Sequence, residues 1–408
     1  MTETILTFNA GSSTVKLGIH AIDGDRTRPL ARAAIDFRDD PLEVRLTLGG
    51  QRLSHPLPGA DIGDMTAVLA TALDWLGRQV DLSDLAVIGH RVVHGGDLFP
   101  GPAIIGDKTL AQMEGLSRLA PLHQPQSLRL IRAARRLYPD LVQTASFDTA
   151  FHATHDPLAR RLAIPRALHD QGIRRYGFHG LSYRHIADAL RGTDLAADAR
   201  VVAAHLGSGA SLCAMQGGIS RDSSMGFSTL DGIPMATRCG ALDPGVLLHL
   251  LGPMGWTLDR VERMLYHESG LLGVSGIDAD SRELLDSDRP EAAEAIGLFC
   301  LRIAGEGARL AATLGGIDAL VFTAGIGEHQ PRIRAMVAER LAWLGLVLDD
   351  NANAANAPCI SSSDSRIAAF VIPADEERVI AEEALGLLGE TRHPLTCVKV
   401  GTALAGRP

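Results

Sequence analysis

The 408-residue chain lacks the familiar signatures of phosphate and dinucleotide binding. It has no Gly-x-x-x-x-Gly-Lys-Ser/Thr, and no Gly-x-Gly-x-x-Gly after a strand pattern, so a P-loop or Rossmann reading is disfavoured. Positive charge is also short. Lys and Arg number 39 against 48 Asp and Glu, for a formal net charge of −9. That argues against nucleic acid or an anionic membrane surface as the main partner, while leaving room for a local positive cleft around a small anion. The five cysteines, Cys213, Cys239, Cys300, Cys359 and Cys397, are scattered and form no Cys-x-x-Cys. This reads as a reduced, cytoplasmic protein without a cysteine metal site. No apolar run is long enough to span a bilayer, and the N-terminus carries no basic-then-apolar leader.

What is present is an ordinary globular composition, 46% hydrophobic and 21% charged, at a length that favours about two domains. One grammar occurs twice. Ile5–Ile19 is an apolar run, a Gly/Ser turn and a second β-prone run; Val201–Ala214 repeats it, with Gly11 matching Gly207 and Ser12 matching Ser208. Small-residue turns let main-chain N–H groups approach an anion closely. One such turn reads as an ordinary hairpin, but two in related halves point to a phosphate held between two domains. Strand-like and helical runs alternate, which predicts an α/β protein. Helices are expected over 65–80, 127–137, 259–265, 290–314 and 376–388, and strands over 85–93, 141–147, 317–323 and 367–372. A domain boundary is expected near 150–155, and an irregular or mobile tail from Gly389 onward.

Several short segments carry chemistry. Gly89–Gly96 ends a strand with Arg91, His90 and His94 beside paired glycines. Arg91 reads either as a surface ion pair or as a bidentate oxyanion ligand. His123 lies between Pro121 and Pro125 in a stiff loop, and taken alone is a structural histidine. Asp148, at a strand end, is either a helix N-cap or a catalytic carboxylate. His179 stands between glycines, and Arg238 has Gly240 close by. Glu376 opens a helix, where dipole complementation is its default explanation. Together they make a phosphoryl-transfer kit, which needs cations around the equatorial oxygens, a metal and an in-line acceptor. If the acceptor is a carboxylate, two anions must meet. Unit like charges about 4 Å apart at an effective dielectric of about 20 repel by roughly 4 kcal/mol. Two arginines and a histidine answer that repulsion, and magnesium would take one or two carboxylates plus nucleotide phosphates.

In order along the chain, Asn9–Ser13, Gly89–Gly96, Pro121–His123, Phe147–His152, Arg174–Gly180, His205–Gly207, Ser223–Phe227, Thr237–Pro244 and Phe322–Glu328 resemble the acetate kinase family, from about residue 5 to 388. The resemblance implies two duplicated ribonuclease-H-like domains flanking a nucleotide-binding cleft. The first covers 1–150, joined by the C-terminal helix and tail from about 380 to 408; the second, nucleotide-binding, covers 151–380. It implies reversible transfer of the ATP γ-phosphoryl group to acetate, giving ADP and acetyl phosphate, with Mg2+ or Mn2+. A homodimer and coupling to phosphate acetyltransferase are also implied.

Roles carried over by the resemblance are catalytic for Asn9, Arg91, Asp148, His179 and Arg238, with Asn9 and Glu376 at the metal. Acetate would meet Arg91 and His123, with Val93, Leu122, Phe178 and Pro234 around its methyl group. The nucleotide phosphates would meet Ser12, Thr14, Lys16, His205, Leu206, Gly207, Ser208 and Gly209. Asp280, Ser281, Arg282, Gly325, Ile326 and Gly327 would flank the adenosine. The chain departs from the family's usual residues at Ser208, Gln124, His329 and Asp375, where asparagine is usual, and these departures bear on donor choice more than on the reaction. The rival readings are a propionate or butyrate kinase, for which Val93 is decisive, and a non-catalytic actin-like scaffold, which would have no use for acceptor-side arginines.

Overall fold

The computed structural model describes residues 2–11, 14–57 and 63–392. Ser12, with Ser13, lies outside the described residues, as does the tail after residue 392. Among the described residues the strands form two sheets. The first contains β1 (Thr4–Ala10), β2 (Thr14–Asp23), β3 (Arg26–Asp36), β4 (Glu43–Leu48), β5 (Gln51–Pro56), β6 (Leu85–Val92), β7 (Ala103–Ile104) and β8 (Val142–Phe147), in the order β5-β4-β3-β2-β1-β6-β8-β7. The second contains β9 (Arg200–Leu206), β10 (Ala210–Gln216), β11 (Ile219–Ser223), β12 (Ala319–Thr323) and β13 (Ala368–Val371), in the order β11-β10-β9-β12-β13.

The two sheets share one plan. β3-β2-β1 and β11-β10-β9 are antiparallel, and β1-β6-β8 and β9-β12-β13 are parallel. The repeated hairpins occupy equivalent places. Asn9 pairs with Lys16 and Ala10 with Val15 in the first; His205 pairs with Ser211 and Leu206 with Ala210 in the second. Asn9 and His205 are therefore matched positions at the carboxyl ends of matched strands.

Every residue of β1 is buried, because helices cover both sheet faces. Leu6 and Phe8 pack towards helices Met65–Gly77 and Gln124–Leu137; Ile5 packs with Ala381, Ala384 and Leu388 of helix Glu376–Arg392. This is why β1 reads as an apolar run without polar alternation. The last helix seats closely on β6, since a Cβ on Gly89 would lie 2.6 Å from Ile380 Cγ2. In the second sheet Val202, Ala204, Leu320 and Phe322 face helix Pro290–Leu314, and Val201, Ala203 and Val321 face helix Gly180–Leu190. Helix 290–314 matches its expected bounds. Pro290 suits a first turn, and Gly315, at φ 70°, supplies the left-handed stop.

Two local expectations change, and one segment that carried none is placed. The helix expected from residue 127 starts at Gln124 with Pro125 in its first turn, so His123 is a helix N-cap position rather than part of a stiff loop. Gly325-Ile326-Gly327 lies within a short helix, Ala324–His329, directly after β12. The last helix continues past Gly389 to Arg392, so the irregular tail does not begin where expected.

Candidate active site

The carboxyl ends of the parallel strands bring the chemistry together, as is usual in open α/β sheets. Arg91, near the end of β6, is the hub. Its Nε donates to Asp148 Oδ1 and Oδ2 at 3.0 and 3.1 Å, and its Nη2 donates to Oδ2 at 2.5 Å. Its Nη1 donates to Asn9 Oδ1 and to the Ala10 carbonyl, both at 3.1 Å. Asn9 Nδ2 in turn donates to Glu376 Oε2 at 2.7 Å and Glu377 Oε1 at 2.8 Å. The amide orientation follows from charge: turned over, its oxygen would face two carboxylates and its NH2 a guanidinium.

Burial opposes the Arg91 charge, but Asp148, Glu376 and Glu377 hold its pKa above the ordinary value. Burial pushes the Asp148 carboxyl up, against the pull of Arg91. Glu376 is also opposed by burial, yet Arg91, His205 and Lys16 bring it below the usual carboxylate range. Asp148 is thus an ion-pair partner of Arg91 and not a helix N-cap.

The second half contributes His179, His205 and Arg238. The His179 and His205 rings stack at 4.3 Å and 16°. His179 has φ 58°, left-handed for a non-glycine residue, a strained state that concentrates at functional sites. Gly180 follows it, and its N–H donates to the Asp148 carbonyl at 2.9 Å. A Cβ on Gly180 would stand 2.1 Å from that oxygen, so only glycine lets the two halves approach here. A Cβ on Gly209 would be 3.4 Å from His179 Nε2 and 3.6 Å from Arg238 Nη1, which puts both side chains on the second hairpin turn. Burial pulls Arg238 down, and the Arg91 charge adds to that. His123 falls to about 4 through burial and the charges of Arg238 and Arg91; His205 falls to about 4 mainly through burial. These imidazoles are neutral at pH 7.

Val93 and Phe178 are buried in one apolar cluster with Ile233 and Met235, and Pro234, between the last two, is buried as well. Leu122 is not in that cluster and is 37% exposed. In the first hairpin Thr14 is half-buried and Lys16 exposed. In the second, Leu206 is buried, Gly207 and Gly209 are half-buried and Ser208 is exposed. Ala324, at φ 64°, begins the helix that carries Gly325, Ile326 and Gly327, and its Cβ lies 3.7 Å from a Cβ built on Gly207. Asp280 caps helix Ser281–Asp286 by accepting the Arg282 N–H at 2.8 Å, and it pairs with the exposed Arg282 guanidinium; Ser281 is buried.

The donor set fits magnesium in one way. Among the described residues no group of three or more His, Cys, Asp or Glu could hold a metal ion by itself. Glu376, half-buried and held below its usual pKa, suits an ion bound mainly by water and nucleotide phosphates. The Asn9 oxygen accepts one hydrogen bond from Arg91 at 3.1 Å, which leaves its second lone pair for a metal or its water.

Sequence reading missed Glu377, Ser211 and Tyr183, and took Gln124 only as a departure bearing on donor choice. Glu377 stands beside Glu376 and looked like a second charge for the helix dipole. Gln124 is buried, accepts the His94 N–H at 3.2 Å, and donates to the His94 and Met113 carbonyls at 3.1 and 3.2 Å. It braces the segment after Arg91.

The paired sheets and their matched hairpins define a two-lobed, ribonuclease-H-like fold of the kind shared by acetate and sugar kinases, heat-shock ATPases and actin. Sequence and structure comparisons narrow that class. The sequence model of the acetokinase family matches residues 4–382. An acetate kinase from Rhodopseudomonas palustris (strain TIE-1) is 48% identical over 395 residues, covering 93% of this chain and 97% of that protein. The structure resembles a propionate kinase from Francisella tularensis (TM-score 0.86, 34% identity, 94% and 99% of the two chains). It also resembles Porphyromonas gingivalis acetate kinase (TM-score 0.84, 32% identity, 95% and 100%). The chain belongs to the acetokinase family.

Proposed function

We propose that this protein transfers the γ-phosphoryl group of ATP reversibly to acetate. The observation that carries this reading is the meeting of Arg91, half-buried and ionised, with Arg238 and neutral His179 across two matched phosphate turns. A carboxylate oxygen of acetate attacks the γ-phosphorus, the bond from phosphorus to the β-bridging oxygen breaks, and ADP leaves with that electron pair. Arg91 and Arg238 neutralise the approaching carboxylate and the equatorial oxygens, where preorganised charge acts most strongly. Asp148 fixes the Arg91 fork, and Asn9 ties that fork to the helix carrying Glu376. His179 donates a hydrogen bond to the phosphoryl group in flight, and His123 lines the acceptor side. The turns at Ser12, Thr14 and Lys16 and at His205–Gly209 hold the phosphates, with Asp280–Arg282 and Gly325–Gly327 at the adenosine. Glu376 would hold Mg2+ or Mn2+ through water, and the ion would neutralise charge on the β- and γ-phosphates.

Residues 1–150 with the C-terminal helix from about 380 form one lobe in this reading, and 151–380 the other; the tail after residue 392 lies outside the described residues. The contact of helix 376–392 with β1, β6 and β8 supports that division. The scattered cysteines without a Cys-x-x-Cys support a cytoplasmic location; among the described residues no helix is long and apolar enough to cross a membrane. The exposed Val246, Leu248, Leu251, Met254 and Leu258, close in sequence, support a homodimer. Acetyl phosphate is a mixed anhydride, so an enzyme exchanging phosphate against an acetyl carrier, phosphate acetyltransferase, would supply or consume it.

The second reading is a propionate kinase, favoured by the likeness to the Francisella tularensis structure. Val93 and Phe178 would wall the acceptor methyl group, and one methylene is worth about 1–3 kcal/mol there. ADP release measured with acetate, propionate and butyrate tests both. Acetate is expected to give the highest kcat/KM, propionate to be poor but not inert, and Val93→Ala to improve propionate relative to acetate mainly through KM. A parent enzyme that prefers propionate replaces the first reading with the second.

A further inference from the structure

We propose that Tyr183 and Ser211 form a one-way hydrogen-bond relay that locks His179 in the tautomer with its proton on Nε2, facing the Gly209 turn and Arg238. This deepens the reading of His179 as a donor to the phosphoryl group and rests on it. The geometry is a buried chain of three side chains. Tyr183, on helix Gly180–Leu190, places its hydroxyl 2.6 Å from Ser211 Oγ; Ser211, on β10, places Oγ 2.8 Å from His179 Nδ1. Tyr183 and Ser211 are both 0% exposed.

The direction of the chain follows from what each group offers. The hydrogen bond of the buried Tyr183 hydroxyl runs to Ser211 Oγ at 2.6 Å. A phenol is a better proton donor and a poorer acceptor than an alcohol. Its single proton therefore goes to Ser211 Oγ, the acceptor beside it. Burial raises the phenol pKa well above 10, so that proton stays in place. Ser211 then has its own proton to give, and His179 Nδ1 accepts it. Burial holds His179 well below 6.5, so the ring is neutral and has one N–H. With Nδ1 accepting, that N–H is at Nε2. The stacked His205 ring holds the His179 ring plane, so the donor keeps its aim. A neutral histidine of the other tautomer would turn a lone pair towards the incoming oxygens, which repels where the site must attract. Tyr183 and Ser211 are thus positioning residues: they touch neither substrate, and they set which face of the imidazole is positive.

Long-range 1H–15N correlation on the full-length protein labelled with 15N-histidine, with His179 assigned by the His179→Gln variant, reads the tautomer directly. The parent protein is expected to show His179 protonated at Nε2 and bare at Nδ1. Ser211→Ala and Tyr183→Phe should populate the Nδ1–H form and lower kcat about tenfold, with KM for acetate within twofold of the parent. Ser211→Thr, which keeps the hydroxyl, should restore both. Protonation of His179 at Nδ1 in the parent, or an unaltered tautomer in both Ser211→Ala and Tyr183→Phe, overturns the relay. If the tautomers behave as stated but His179→Gln retains full kcat, the relay stands and the reading of His179 as phosphoryl donor falls.

Discussion

Replacing Gly180 by alanine tests the contact that joins the two halves of the site. Gly180 opens a helix and its φ lies outside the left-handed region, so alanine suits the backbone and is the better helix former by up to about 1 kcal/mol. Any loss must be steric. The added Cβ would stand 2.1 Å from the Asp148 carbonyl oxygen, with Phe151 Cβ at 2.9 Å, whereas real Cβ contacts essentially never fall under 3.0 Å. The segments must part by about 0.9 Å. The oxygen cannot simply turn aside, because it accepts the Gly180 N–H at 2.9 Å. Overpacking of this kind costs about 1–3 kcal/mol of stability. The larger effect is on geometry, since Asp148 holds the Arg91 fork and His179 precedes Gly180. A displacement of about 1 Å in a catalytic constellation costs about 10² in rate. The measurement is kcat/KM by ADP release, beside thermal unfolding. Gly115→Ala serves as control, because nothing lies within 4 Å of a Cβ there. A Gly180→Ala enzyme with parental kcat/KM and melting temperature refutes the claim that this contact sets the site.

Arg91→Ala and Arg238→Ala should each lose about 10² or more in turnover; near-parental turnover of either folded variant by circular dichroism removes that arginine from the reaction. Glu376→Ala should raise the magnesium requirement and depress turnover, and magnesium titrations that overlay the parent's would leave Glu376 as a helix-start residue. Stability should fall with acid between pH about 6.5 and about 4. His90, His94 and His152 are each brought to about 4, mainly by burial. The unfolded chain therefore binds more protons in that window, and the stability present above pH 6.5 is lost as pH falls towards 4. Urea midpoints that stay level from pH 7 to 4.5 would contradict this.

The elements legible in the sequence were those whose pattern is local. β1, β6 and β12 are largely apolar because both their faces are covered, β8 is a short β-prone run broken by Gln143, Thr144 and Ser146, and helix 290–314 carries its own start and stop in Pro290 and Gly315. The duplicated hairpin was visible because each copy needs small residues at a tight turn. β3, β4 and β5 went unread. They extend the first sheet towards its edge; β3 and β5 have mixed polarity without a sustained period, and β4, Glu-Val-Arg-Leu-Thr-Leu, alternates in a run of only six residues, so short a signal that it was passed over. The start of helix 124–137 was misplaced because a proline in a first turn and a proline in a loop look alike.

What the sequence alone determined was the inventory: an acidic chain without P-loop or Rossmann glycines, two matched hairpins, and arginines, histidines and carboxylates beside small residues. Only the tertiary structure decided which of them meet. Asp148 faces Arg91 because β6 and β8 are neighbours in the sheet, and Asn9 reaches Glu376 because the last helix returns across the whole chain to β1. Leu122 stands exposed while Val93 and Phe178 are enclosed, although all three are apolar residues near the same motifs. Hydrogen bonds and ion pairs between residues far apart in sequence depend on strand order and helix approach. Those follow from burying many apolar faces at once, and no short segment records them.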